Sequence, residues 1–230
     1  MLTPLEIEAL ELSLLVGTTS ILASLPFALG CAWLLARRDF WGKTIFDGIV
    51  HLPLVLPPVA VGFALLILLG RNGVIGKFLY ETFGFTLAFN WKGAALASAV
   101  MAFPLIVRAM RLSLEAVDQR LEAAARSLGA GPWRAFATVT LPLMLPGILT
   151  GAILGFARSV GEFGATITFV SNIPGETRTL PVALYTLTQI PGSDVAAWRL
   201  AGLSVALALA ALIASEMLSR RMGHRLRGLD

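Results

Sequence analysis

Leu112-Ser-Leu-Glu-Ala-Val-Asp-Gln-Arg-Leu-Glu-Ala-Ala-Ala-Arg-Ser-Leu-Gly129 is rich in helix formers and has no proline, and no glycine before its last residue. The stretch predicts one helix over Leu112–Leu128. Leu114, Val117, Leu121, Ala124 and Ala125 recur at helical spacing and make an apolar stripe. Gly129, Gly131 and Pro132 then stop the helix, and Trp133 and Phe136 follow at an expected membrane boundary. The stretch is charged, yet it lies between two apolar segments without charge. Two readings follow. It is an interfacial helix anchoring the loop, or a helix by which a separate cytoplasmic motor grips a membrane protein.

The rest of the chain supplies the membrane. Hydrophobic residues make up 57% of the 230 and charged residues 14%, where soluble domains carry about 25% charge. So much apolar surface requires a lipid bilayer as partner. The net charge of +4 is then loop charge that orients the chain, and nucleic acid is not an expected partner. Cys31 is the only cysteine and reads as a small buried hydrophobe.

Five charge-free windows read as transmembrane helices: Leu12–Ala36, Gly48–Gly70, Gly93–Val107, Ala135–Ala157 and Leu200–Ser215. A span needs about 20 residues, so the third and fifth must recruit flanking Arg108, Arg199 and Glu216, whose long side chains snorkel. The first window follows Glu6, Glu8 and Glu11, which is not the leader of a cleaved signal peptide. The fold expected is all-α and integral to the membrane, a single domain over 1–230. It has about five spans, a cytoplasmic helical loop at 112–132 and a basic cytoplasmic tail at 220–230.

Loop charge sets the orientation. Twelve Lys and Arg (37, 38, 43, 108, 111, 120, 126, 134, 220, 221, 225 and 227) fall in one set of loops, and four (71, 77, 92 and 178) in the other. The positive-inside rule puts the first set in the cytoplasm, so the N-terminus is expected outside and the C-terminus inside. The outer loops are roughly 71–92 and 162–194, and Thr179–Gln189 is expected to form a short helix at or dipping into the outer face.

Within the fourth span Gly147, Gly151 and Gly155 recur every four residues and Ser159 continues the row. Small residues so spaced mark a helix–helix seam in lipid, within one subunit or across a dimer. Arg158 and Glu162 stand one helical turn apart. They either stitch the outer end of the span or place Glu162 at the mouth of a pathway. Thr166, Thr168, Ser171 and Asn172 nearby are groups that hydrogen-bond a passing anion or satisfy loop backbone.

Neither a phosphate-binding glycine loop nor metal-ligand spacing occurs: Gly76-Lys77 is followed by Phe78, and His51 and His224 stand apart. The chain carries no catalytic or metal residues of its own on this reading, and no cofactor. A passive channel or secondary transporter remains an alternative, as does a membrane scaffold or enzyme. The channel or transporter should show inverted repeats or intramembrane ion ligands.

The loop resembles the docking loop of ABC-importer permeases, whose pattern is Glu-Ala-Ala, three residues, Gly, nine residues and Ile-x-Leu-Pro. Here Gly129 is followed by nine residues and Val139-Thr140-Leu141-Pro142, and Ala123, Ala124 and Ala125 fill the first slots, with Glu122 one place early. Phe103–Asp118, Ser159–Pro181 and the proline-rich Leu52–Gly62 resemble the molybdate-importer permeases in particular, and sulfate and tungstate permeases share much of this. The resemblance implies a coupling helix that docks on the motor through Glu122, Ala123, Ala124, Ala125, Gly129, Leu141 and Pro142. It also implies a homodimer, two ATPase subunits that bind ATP and Mg, an external oxyanion-binding protein, and location in the bacterial inner membrane.

Overall fold

The computed structural model describes residues 3–226, with the side chains of 215 and 218–226 outside that description. Of the expected basic tail at 220–230, residues 220–226 continue the last helix as backbone, and 227–230 lie outside what is described. Helix α1 (Pro4–Arg37) begins where the Thr3 hydroxyl accepts from the Glu6 amide and the Glu6 carboxylate accepts from the Thr3 amide at 2.7 Å, a reciprocal cap. α2 (Lys43–Val55) and α3 (Pro58–Leu69) follow, then α4 (Val74–Phe83), α5 (Trp91–Ala116) and α6 (Gln119–Ser127). α7 (Pro132–Ala135), a π-helical turn Phe136–Thr140 and α8 (Leu141–Val160) run on as one rod. α9 (Gly164–Val170), α10 (Leu180–Thr188) and α11 (Asp194–Leu226) complete the described chain.

Four helices among the described residues are long and apolar enough to cross a membrane: α1, α5, the α7–α8 rod and Asp194–Ala214 of α11. The second expected span is not one helix. α2 and α3 meet at 114°, because Leu56 and Pro57 each precede a proline and are held extended at ψ 143° and 132°. Counted as one span, the bent pair brings the number to five. The other spans outrun their charge-free windows. α5 carries Arg108 and Arg111 inside it, and Arg111 is neutralised by Asp47 of α2 at 3.2 Å and by Glu115 at 2.8 Å. Prolines 26, 104 and 146 sit within α1, α5 and α8, as membrane helices tolerate when neighbours satisfy the freed carbonyls.

α1, α5 and α8 pack against one another as the centre of the molecule, with α11 on α8 and α3 on α9. α1 buries Ser13, Gly17, Ser20, Ser24, Ala28 and Ala32, a row of small residues that allows close approach. The buried hydroxyls return their protons to the helix, Ser20 to Gly17 O and Ser24 to Ser20 O. At one end Leu35, Val50, Met110, Leu114, Val117 and Met144 form the core. At the other, Ala9, Leu180, Ala183 and Leu200 do so. There Glu6 pairs with Arg199 at 3.0 Å, and the Ser13 hydroxyl accepts from the Leu180 amide at 2.7 Å. Phe27, Ile45, Val55, Phe63 and Val205 lie open to the surroundings, a surface that requires lipid or another chain to cover it.

Candidate functional site

The expected single helix over Leu112–Leu128 is two. α5 ends at Ala116, Val117 leaves it extended at ψ 122°, and Asp118 caps a new helix by accepting from the Arg120 amide at 2.9 Å. The apolar stripe therefore divides. Leu114 and Val117 are buried in the bundle, whereas Leu121 of α6 is 49% exposed. No residue of α6 is buried, so it projects from the end of the bundle where α1 and α5 finish.

The turn after α6 is encoded locally. Gly129 has φ +91°, its amide donates to Arg126 O at 3.0 Å, and the Ala130 amide donates to Ala125 O at 3.1 Å. This pair of bonds satisfies the last carbonyls of a helix through a left-handed residue. Gly131 then caps α7 with Pro132 in first position. The π turn reaches Leu141, whose amide donates to Phe136 O, and the wider turn makes room for the ring of Pro142. Leu141 packs on the core, and Pro142 is exposed.

α6 has two faces. Leu121, Ala124 and Leu128 point away from the bundle side, and Leu128 is 90% exposed. Gln119, Glu122, Ala123 and Arg126 line a cavity against Trp33 and Arg37 of α1 and Arg38 just after it. Glu122 is held within the chain: it accepts at 3.0 Å from the hydroxyl of Thr140, which is fully buried in the π turn. Nothing in the sequence linked Glu122 to Thr140, because the contact joins separate elements. Asp118 carried a legible signal, as a capping side chain before Gln-Arg-Leu-Glu. On the same end, Lys43 donates to Asp39 at 2.8 Å and holds its carboxyl below the usual range.

The glycine row is a seam within the chain. A Cβ at Gly147 would stand 2.1 Å from Ser113 Cβ of α5, at Gly151 3.2 Å from Ala109 Cβ, and at Gly155 2.7 Å from Ile106 Cγ1. Ser159 ends the row by hydrogen bonding Ser20 of α1 at 2.8 Å.

Beyond α8 the five expected pathway residues do not share one role. Glu162 is buried, pairs with Arg158, and accepts from the Ala165 amide at 2.9 Å, so it caps α9 as well as neutralising Arg158. Thr166 is buried, and its hydroxyl has no partner. Thr168 donates to Gly164 O. Asn172 donates to Thr186 and accepts from Arg178 at 2.8 Å. Ser171 is exposed at φ +65° at the end of α9. The expected helix at Thr179–Gln189 is present as α10, packed on α1 and α11.

Residues 24–224 match the family model described as binding-protein-dependent transport system inner membrane component. The chain is 61% identical over 219 residues to the molybdenum transport system permease protein ModB of Escherichia coli (strain K12), covering 95% of this chain and 96% of that one. It is 58% identical over 222 residues to the ModB protein of Haemophilus influenzae, covering 96% and 97%. In three dimensions it resembles, at TM-score 0.74 and 20% identity, a bacterial ABC transporter involved in the import of the acidic polysaccharide alginate, over 96% of this chain and 80% of that one.

Proposed function

The chain belongs to the binding-protein-dependent transport system inner membrane components, the permease subunits of ABC importers, and from that premise we propose that it imports molybdate or a related tetrahedral oxyanion. The near full-length likeness to molybdenum permeases carries the choice of anion. The projecting α6 supplies the mechanics. Its outward face of Leu121, Ala124 and Leu128 is small, apolar and unfilled, and fits a cleft on a cytoplasmic ATPase.

Two copies form the translocation unit, with two ATPases that bind ATP and Mg on the inside and an oxyanion-binding protein outside. The N-terminus faces outward and the C-terminus inward. Closure of the ATPases draws the two α6 helices together, and each carries its own α5 and α8 with it. The pathway turns outward on closure and inward after hydrolysis, by rigid-body movement of packed helices. Glu162 does not coordinate the anion, since Arg158 already balances its charge.

The test is uptake of labelled molybdate into vesicles holding the permease, its ATPase and its binding protein. Uptake should require ATP and be competed by tungstate more strongly than by sulfate. Ala124→Asp should insert normally, yet lose ATPase co-purification and uptake together. Uptake without ATPase, or an unaffected Ala124→Asp, refutes the importer reading. Equal competition by sulfate refutes the choice of anion alone.

A further inference from the structure

A continuous groove runs along α1 from mid-helix to its end. Its first part, about 480 Å³, is apolar and lined by Pro26, Leu29 and Trp33 with Trp133 and Phe136 from the rod opposite. Its second part, about 510 Å³, is lined by Arg37, Arg38, Arg120 and Arg126. Trp33, Arg38 and Glu122 belong to both. Arg38 lies over the Trp33 ring at 5.4 Å. The Arg37 Nε and Nη2 are shielded from solvent and have no hydrogen-bond partner. Four arginines thus face one carboxylate, which the Thr140 hydroxyl already engages.

The geometry points to a bound anionic phospholipid, with an acyl chain in the apolar trough and a phosphate headgroup on the arginines. Each part of the groove demands this. An inorganic anion satisfies the arginines but leaves the trough beside Pro26 and Phe136 empty. An uncharged lipid fills the trough but leaves Arg37, Arg38, Arg120 and Arg126 around a cavity whose one carboxylate is Glu122, which is unfavourable. Arginines gathered where a membrane helix ends, with tryptophans beside them, are the chemistry that holds an anionic headgroup. The groove uses the face of α6 opposite Leu121, Ala124 and Leu128. A lipid there braces α6 against α1 without covering the outward face. The inference rests on α1 lying in the membrane, not on the importer reading or on which anion is carried.

The test uses the full permease–ATPase complex in bilayers, with Trp41, Trp91 and Trp198 replaced by Phe so that Trp33 and Trp133 report. Brominated phosphatidylglycerol should quench their fluorescence well beyond brominated phosphatidylcholine at the same bilayer fraction. Each arginine near a headgroup contributes roughly fivefold in affinity, so Arg37→Gln with Arg126→Gln should weaken the apparent phosphatidylglycerol affinity about 25-fold. Arg71→Gln, in the loop between α3 and α4, should leave it unchanged. Equal quenching by the two lipids in the parent complex overturns the inference, and that measurement needs no arginine variant to fold. So does a preference that survives the double change. Loss of ATPase co-purification in the double variant, from a parent without lipid preference, would instead make the arginines a motor contact.

Discussion

Replacing Gly147 by alanine tests the seam that joins α8 to α5. The new methyl carbon would stand 2.1 Å from Ser113 Cβ, 2.5 Å from Ser113 Oγ and 3.1 Å from Ala109 O. Carbons pack at about 3.5–4.0 Å, so α8 must retreat from α5 by roughly 1.5 Å; turning the Ser113 hydroxyl out of its bond to Met144 O would move Oγ but not Cβ, which the backbone fixes. Overpacking of this kind costs about 1–3 kcal/mol, a fall in Tm of roughly 2–12 °C for a chain this size. At Gly155 the obstacles are Ile106 and Ile21 side-chain tips at 2.7–2.9 Å, which can rotate, so the cost should be smaller. At Gly151 the nearest atoms are 3.2 Å away and need give only a few tenths of an ångström. Thermal unfolding of the three alanine variants, followed in detergent by loss of the monodisperse peak, should therefore rank them Gly147, Gly155, Gly151. A neutral Gly147→Ala, or a Gly151→Ala that is as damaging, would show that this row does not hold α8 on α5.

After Cys31→Ala, cysteines placed at Arg38 and Arg120 should label only from the cytoplasm and those at Asn72 and Gly175 only from outside; external labelling at Arg120 would remove the motor's access to α6. Gly129→Val meets no neighbour, since a Cβ there has open space, yet it is strained by about 1–2 kcal/mol or more at φ +91°; all spans should insert while ATPase co-purification falls, and wild-type co-purification would make the turn dispensable. Arg158→Ala leaves the buried Glu162 carboxylate without its cation and should destabilise by about 3–5 kcal/mol. Arg158→Met combined with Glu162→Gln should recover most of that stability. If the double variant is stable but does not transport, the pair is more than a stitch.

Most of what was legible in the sequence is local, and the long-range contacts were not legible. The positive φ at Gly129, the turn into Pro132 and the short helix α10 each depend on a few neighbouring residues. The break in the second span was also written locally, in Leu56-Pro57-Pro58, but the hydropathy of the window concealed it. The break at Val117–Asp118 was harder to see. No glycine or proline marks it, and helix formers run through it. Burial of Leu114 and Val117 in the bundle fixes where α5 ends, and Asp118 serves as the cap that starts α6. Spans measured by absence of charge came out short because Arg111, besides Glu115 one turn on, finds Asp47 of α2, a partner that no window over one segment contains. The glycine row announced a close contact but not its other side. Ser113, Ala109 and Ile106 on α5 supply that side.

The seam and the projecting helix have one mechanical consequence when taken together. α6 is joined to α5 by only two residues, and to the rod by the turn at Gly129 and the Glu122–Thr140 bond. Both connections lead into helices that touch backbone to side chain along Gly147, Gly151 and Gly155. Interiors packed at this density transmit displacement rather than absorb it. A force on Leu121, Ala124 and Leu128 therefore reaches α5 and α8 as one body. At the far end of α8, Arg158 and Glu162 tie that body to the start of α9, and α9 packs on α3 just beyond the 114° bend. The soft element in this series is the bend itself, where α2 and α3 meet through two extended residues without helical hydrogen bonds across them. Movement imposed at α6 should thus be expressed as a change of angle at Leu56–Pro57, while the α5–α8 pair keeps its own geometry.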